Sequence, residues 1–269
     1  HDSVESRKIA YQTAMEAFAD KLKRPQQPSI PNLHDEHFGH PLYVQMAALL
    51  ALHGEVPGSA ESVARSLINH ERRYWTQALS TISNLFIPQD DSPALFMALA
   101  TLVNGFATVR DCEVLWTQDL GDKNILKPLF TLLAPLYPNR QGIQGLQPDL
   151  LGEALIAQCL LGKKGDKLLH AILGSSNPKW RRSSLTVLAR ILRNRGELAN
   201  IITPVLTQHF VNCADDLVAV MIETPSPLAQ VVEQAFISLN TPQKNQVCGI
   251  LDKHIQDEVL PLIDLNVLI

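Results

Sequence analysis

The sequence predicts a mainly α-helical protein: a helical bundle, then a unit with a small β wing, then helical repeats. Three observations lead there. Apolar residues recur at helical spacing: Leu185, Leu188, Ala189 and Leu192, then Leu198, Ile201, Ile202 and Val205, then Leu228, Val231, Val232 and Ala235, each set at i, i+3, i+4, i+7. Breakers such as Gly54, Asn177-Pro178, Gly196, Pro225-Ser226-Pro227 and Thr241-Pro242 cut that period into short helices joined by turns. One stretch suits paired strands instead: from Tyr137 to Pro148, turn-forming Pro138, Asn139, Gly142 and Gly145 flank Ile143 and Leu146.

Taken in order, residues 4–23 read as a first helix that must stop before Pro25. Residues 24–41 hold Pro25, Pro28, Pro31 and Pro41 and read as an irregular connector. Pro41 suits the first turn of the next helix, where its missing N–H costs nothing. That helix is expected to run to His53 and stop at Gly54. Ser59 is a cap candidate for a third helix with apolar points at Val63, Leu67, Trp75 and Leu79.

Ser92 is a cap candidate ahead of Pro93. Residues 94–103 are apolar almost all round, which demands burial on most sides. Two short helices, 109–118 and 124–136, precede the wing candidate. Three helices and a wing make a winged-helix layout; the same composition also suits a plain loop. From Asp149 onward helices stack, with Ser226 or Thr241 as a cap and no strict repeat period. The apolar run 259–269 is expected to pack on a neighbour beyond the chain. The domains expected are 1–90, 91–165 and 166–269.

Composition narrows the function. A hydrophobic fraction of 46% with 19% charged residues supports a true core. A net charge of -4 gives no general attraction for nucleic acid or anionic lipid. Cys112, Cys159, Cys213 and Cys248 form no CxxC pair and read as reduced, mostly buried thiols of a cytoplasmic protein. No uninterrupted apolar run is long enough for a membrane span, and His1 opens no signal peptide. A first residue other than Met suggests an excised piece.

No catalytic motif is visible. A phosphate-cradling loop needs Gly-x4-Gly-Lys-Ser/Thr after a strand; Gly162-Lys163-Lys164-Gly165 lacks the hydroxyl and follows a helix, so it reads as a turn. His34, Asp35, Glu36, His37 and His40 are metal-ligand types at i, i+3, i+6 rather than a zincin spacing; a solvated polar loop is preferred over a metal site. No nucleophile–base pair assembles. His70-Glu71-Arg72-Arg73-Tyr74-Trp75 reads as a helix end at a domain junction rather than a nucleic-acid face. Arg182, Arg190 and Arg193 share one helical face, read as solvated, with anion or partner binding as the alternative.

Several phrases follow in order: Gly39-His40-Pro41-Leu42 with the Ala-rich helix to Leu49, Glu71-Arg72-Arg73-Tyr74-Trp75, the wing candidate, Leu146-Gln147-Pro148-Asp149-Leu150-Leu151-Gly152-Glu153, and Ser183 to Arg190. Together they resemble the STAND class of signalling NTPases (the NACHT and NB-ARC type), in its bacterial form. The resemblance implies a winged helix, a hinge at 146–153, and a first helical repeat at 183–190. It implies that Gly39 and Pro41 are base-side contacts for a nucleotide, not catalysts. It implies ATP or ADP in the full-length protein, none held by this fragment alone, and no enzyme activity of its own. The implied partners are a missing nucleotide-binding domain and a protein ligand or self-oligomer, with signalling, including antiviral defence, as the biology. The family's winged-helix histidine has no counterpart at the wing; His170 lies past it. The competing reading is a free-standing helical-repeat adaptor.

Overall fold

A computed structural model describes residues 3–25, 30–56, 58–82, 91–140, 142–147, 149–223 and 228–256. Among these the chain is mainly helical, with twelve α-helices and no strand. Compactness divides it into two units, His1–Gln77 and Ala78–Ile269.

In the first unit, α1 (Val4–Leu22) starts at Ser3, whose side chain accepts from Ser6 N–H, and ends at Lys23 in the left-handed region at φ 54. A 3-10 turn, Glu36–Gly39, leads into α2 (Pro41–Leu52). Pro41 holds the first helical position, as its fixed φ favours. α1 and α2 pack closely, burying Tyr11, Met15 and Ala19 against a helix whose Val44, Met46, Ala47, Ala48 and Leu50 are also buried. α3 (Ala60–Ile82) follows, and the Ser59 Oγ accepts from Ser62 N–H at 3.2 Å, so the cap candidate is the cap.

The second unit opens with α4 (Ser92–Leu102), buried at every position but Thr101. The expectation that this apolar segment is buried on most sides holds. Its cap differs: Asp91 is the N-cap residue, without a side-chain cap bond, and Ser92 is already inside the helix. Phe106 follows, then α5 (Val109–Leu115), started by a reciprocal capping box between Thr108 and Asp111. α5 is shorter than the expected 109–118 because Trp116 turns away extended and its Nε1–H donates to Gly121 O at 3.1 Å. A 3-10 turn, Lys123–Ile125, precedes α6 (Leu126–Leu133).

The wing candidate forms no ladder, but it does bridge. Ile143 pairs antiparallel with both Phe106 and Pro138. Phe106 and Ile143 exchange both backbone bonds, each 2.9 Å, and Gln144 N–H donates to Tyr137 O at 2.8 Å. The pairing stops after one residue on each side. Pro138 has no N–H to donate, so a longer ladder on that edge is denied a bond.

The helices that follow are α7 (Asp149–Leu160), α8 (Gly165–Leu173), α9 (Pro178–Asn194), α10 (Ala199–Glu223), α11 (Leu228–Ile237) and α12 (Thr241–Gln256). Asn177 caps α9 through its side chain and Lys179 N–H. Gly162-Lys163-Lys164 lies in the turn between α7 and α8, as its composition implied, and Gly165 opens α8. The α12 cap is Asn240 rather than Thr241: Asn240 Oδ1 accepts from Gln243 N–H at 3.0 Å and Gln243 Oε1 from Asn240 N–H at 3.1 Å. Ser226 and the run 259–269 lie outside the described residues.

α10 is the spine of this unit and packs on α8, α9, α11 and α12. With its lead-in turn it is, among the described residues, the one segment long and apolar enough to cross a membrane, and half of that window is buried within the fold. At its centre Asp216 is 1% exposed and accepts from Arg181 Nε at 2.6 Å and Arg182 Nε at 2.7 Å.

Candidate functional site

Two places gather the residues that the sequence singled out. The first is the edge at Gly39–Pro41. Arg7 of α1 reaches across with Nη1 to Leu33 O at 2.9 Å and Asp35 O at 2.8 Å, fixing the connector to the helix. Asp35 starts the 3-10 turn by accepting from His37 N–H, and Phe38, 1% exposed, anchors that turn in the core. His40 then caps α2, its Nδ1 accepting from Leu42 N–H at 3.3 Å. Gly39 is half-buried and Pro41 is exposed. An apolar ring is thus held outward by a rigid lead-in, at the first turn of a helix whose body is buried.

The His34, His37 and His40 loop is polar and solvated. His37 Nδ1 lies 2.9 Å from Asp35 Oδ1, and no group of three or more His, Cys, Asp or Glu among the described residues is arranged to hold a metal. At the other end of α2, a cluster not visible in the sequence joins Arg24, His53, Glu55 and His70. Arg24 Nη1 is 3.2 Å from His53 Nδ1, and His70 Nε2 is 2.8 Å from Glu55 Oε1. Burial, with Arg24 and His70 beside it, holds the His53 imidazole below its usual range. Trp75 of the following helix is fully buried while Tyr74 is 49% exposed.

The second place is a polar cleft of about 270 Å³ in the second unit. It brings together two phrases quoted above, 146–153 and 183–190. Asp149 and Glu153 come from α7; Ser183, Thr186 and Arg190 come from one face of α9. Arg190 Nη1 donates to Asp149 Oδ2 at 3.1 Å. Its Nε lies 2.9 Å from Glu153 Oε1 but finds no aligned acceptor, so that contact is a charge pairing rather than a hydrogen bond. Burial pushes the Glu153 carboxyl above the usual carboxylate range, against the opposing pull of Arg190.

The phrase 146–153 is packed rather than a free linker. Leu146 N–H donates to Thr101 Oγ1 at 2.9 Å, and Ser184 Oγ donates to Leu102 O at 3.1 Å. A Cβ added at Gly152 would stand 2.7 Å from Thr101 Cγ2 and 2.8 Å from Leu146 O, so only glycine lets these segments approach. The expected solvated arginine face is found in part. Arg182 and Arg193 are exposed, as expected of a solvated face, though Arg182 also pairs with Asp216; Arg190 departs from it, half-buried and bonded to Asp149.

Three of the four cysteines, Cys112, Cys159 and Cys213, are buried and Cys248 is exposed. Burial pushes the Cys213 thiol up to about 12 and the Cys112 thiol up as well, so both stay protonated near neutral pH.

Comparison with known proteins finds no matching family model, no matching curated protein and no matching solved structure.

Proposed function

We propose that this chain is the regulatory arm of a STAND-type signalling ATPase, coupling nucleotide state to sensing and oligomerisation without catalysis of its own. The observation that carries the reading is Pro41: an exposed ring beside half-buried Gly39, held outward at the start of a buried helix. A flat apolar ring suits a purine face, and a glycine two residues before it lets a ligand approach the backbone. The nucleotide's phosphates would be held by a separate domain, and ATP or ADP would be the cofactor of the longer protein.

The order of the second unit supports the same reading. A helix, a bridging residue, two helices, a second bridging residue, a tight turn and a third bridging residue follow one another from α4 to Ile143. That is the sequence of parts a winged helix needs, reduced to single bridges. The helices after it would form the sensor, whose ligand shifts a two-state population. The partners proposed are the nucleotide-binding domain, a protein ligand or further copies, in cytoplasmic signalling or defence.

Nucleotide titration of this chain alone tests the division of labour. The reading expects no binding tighter than about 1 mM. Micromolar ATP affinity for the isolated chain would contradict it.

A second reading, a free-standing helical adaptor, draws on an apolar groove of α10, α11 and α12 lined by Phe210, Leu217, Met221, Phe236, Val247 and Leu251. A reading frame that starts just upstream, with no phosphate-binding loop, would favour it.

A further inference from the structure

His170 of α8 and His209 of α10 face one another across the helix junction. Nδ1 of His170 lies 2.9 Å from Nε2 of His209, with the rings edge-on at 71° and their centroids 5.2 Å apart. Both residues are half-buried. Their scaffold is fixed: Asn212 Nδ2 donates to Leu173 O at 2.9 Å, tying α10 to the end of α8. Gly174 packs beside the His209 ring, where an added Cβ would sit 3.1 Å from Cε1.

We propose that His170 and His209 form a two-histidine site for a divalent transition-metal cation of the Ni²⁺ and Cu²⁺ class. The spacing carries the choice of metal. Metal–imidazole bonds of about 2.0–2.1 Å with ligands at right angles put the two nitrogens about 2.9 Å apart, whereas a tetrahedral centre needs about 3.3–3.4 Å. The observed separation matches that of neighbouring ligands of a square-planar or octahedral ion.

As a bare pair, the two rings hold one proton between the facing nitrogens. A metal ion takes its place, and that proton moves to the far nitrogen of the same ring. Asp166, one turn before His170, interacts with it electrostatically and adds negative potential; its carboxylate is paired with Lys167 Nζ at 3.1 Å. Water fills the remaining positions, so the ion is exchangeable and cross-links α8 to α10.

Isothermal titration of the chain, purified without a histidine tag, with Ni²⁺ tests this. One ion per chain is expected, with a Kd on the order of micromolar. His170→Gln and His209→Gln should each weaken binding by about ten-fold or more, while His34→Ala/His37→Ala/His40→Ala leaves it unchanged. Zn²⁺ should bind more weakly than Ni²⁺. Electron paramagnetic resonance of the unaltered chain loaded with Cu²⁺ avoids any folding defect and should resolve two coordinated nitrogens. Undiminished Ni²⁺ affinity in both single variants, loss only in the loop variant, or fewer than two nitrogens on Cu²⁺ would overturn the site.

Discussion

Arg181 Nε meets Asp216 Oδ2 at 2.6 Å, with the Arg181 side chain 10% exposed and that of Asp216 1%. This pair, with Ser175 O accepting from Arg181 Nη1, ties the first turn of α9 to the middle of α10. Removing one partner of a buried pair strands the other's charge, so Asp216→Ala should cost about 3–5 kcal/mol in urea unfolding. Arg182 also reaches Asp216, but its side chain is 54% exposed. Arg182→Ala should cost no more than about 1 kcal/mol. Arg181→Ala should cost about as much as Asp216→Ala, and equal losses from Arg181→Ala and Arg182→Ala would mean that the two arginines share the role.

Glu153 gives a pH signature with a definite sign. Burial raises its folded pKa above its unfolded value. The protonated form therefore favours folding, and that stability is present below the unfolded pKa and lost as pH rises through the folded one. The amide introduced by Glu153→Gln cannot ionise. The variant's stability relative to the parent should climb as pH rises from below the ordinary glutamate range into the raised one. Denaturant midpoints measured across that window check this, and a flat difference would remove the claim.

Two glycines should respond differently to alanine. A Cβ at Gly165 would collide with Leu160 O, so the α7–α8 turn must deform. Nothing lies within 4 Å of the Cβ position at Gly196. Gly165→Ala should lower stability by about 2 kcal/mol or more, and Gly196→Ala should change it by about 1 kcal/mol at most. Thermal unfolding of the two variants provides the comparison.

Local chemistry made much of the fold legible, and distance hid the rest. Ser59, Pro41 and the stop at Gly54 act within one helical turn, so the spacing of neighbours disclosed them. Asp91 and Asn240 displaced Ser92 and Thr241 as caps because each stands one residue earlier, where more than one capping type was present. The bridging of Ile143 to Phe106 joins residues far apart in the chain, across two helices, and leaves no periodic trace in either segment. The same holds for the site. Pro41's place at a helix start could be read, but Arg190's bond to Asp149, 41 residues away, could not. Its charge therefore looked like a solvated face. The meeting of His170 with His209 was hidden for the same reason.

The most direct test of the regulatory-arm reading is the rate at which a fluorescent ADP analogue leaves the natural gene product that contains this chain, compared with its Pro41→Ala form. Pro41 is exposed at a helix's first position, so the substitution should alter stability by no more than about 1 kcal/mol. If the ring rests against the base, ADP should leave the variant about ten-fold faster, a loss of about 1.4 kcal/mol. Identical release rates, or a gene product that retains no nucleotide at all, would contradict the account.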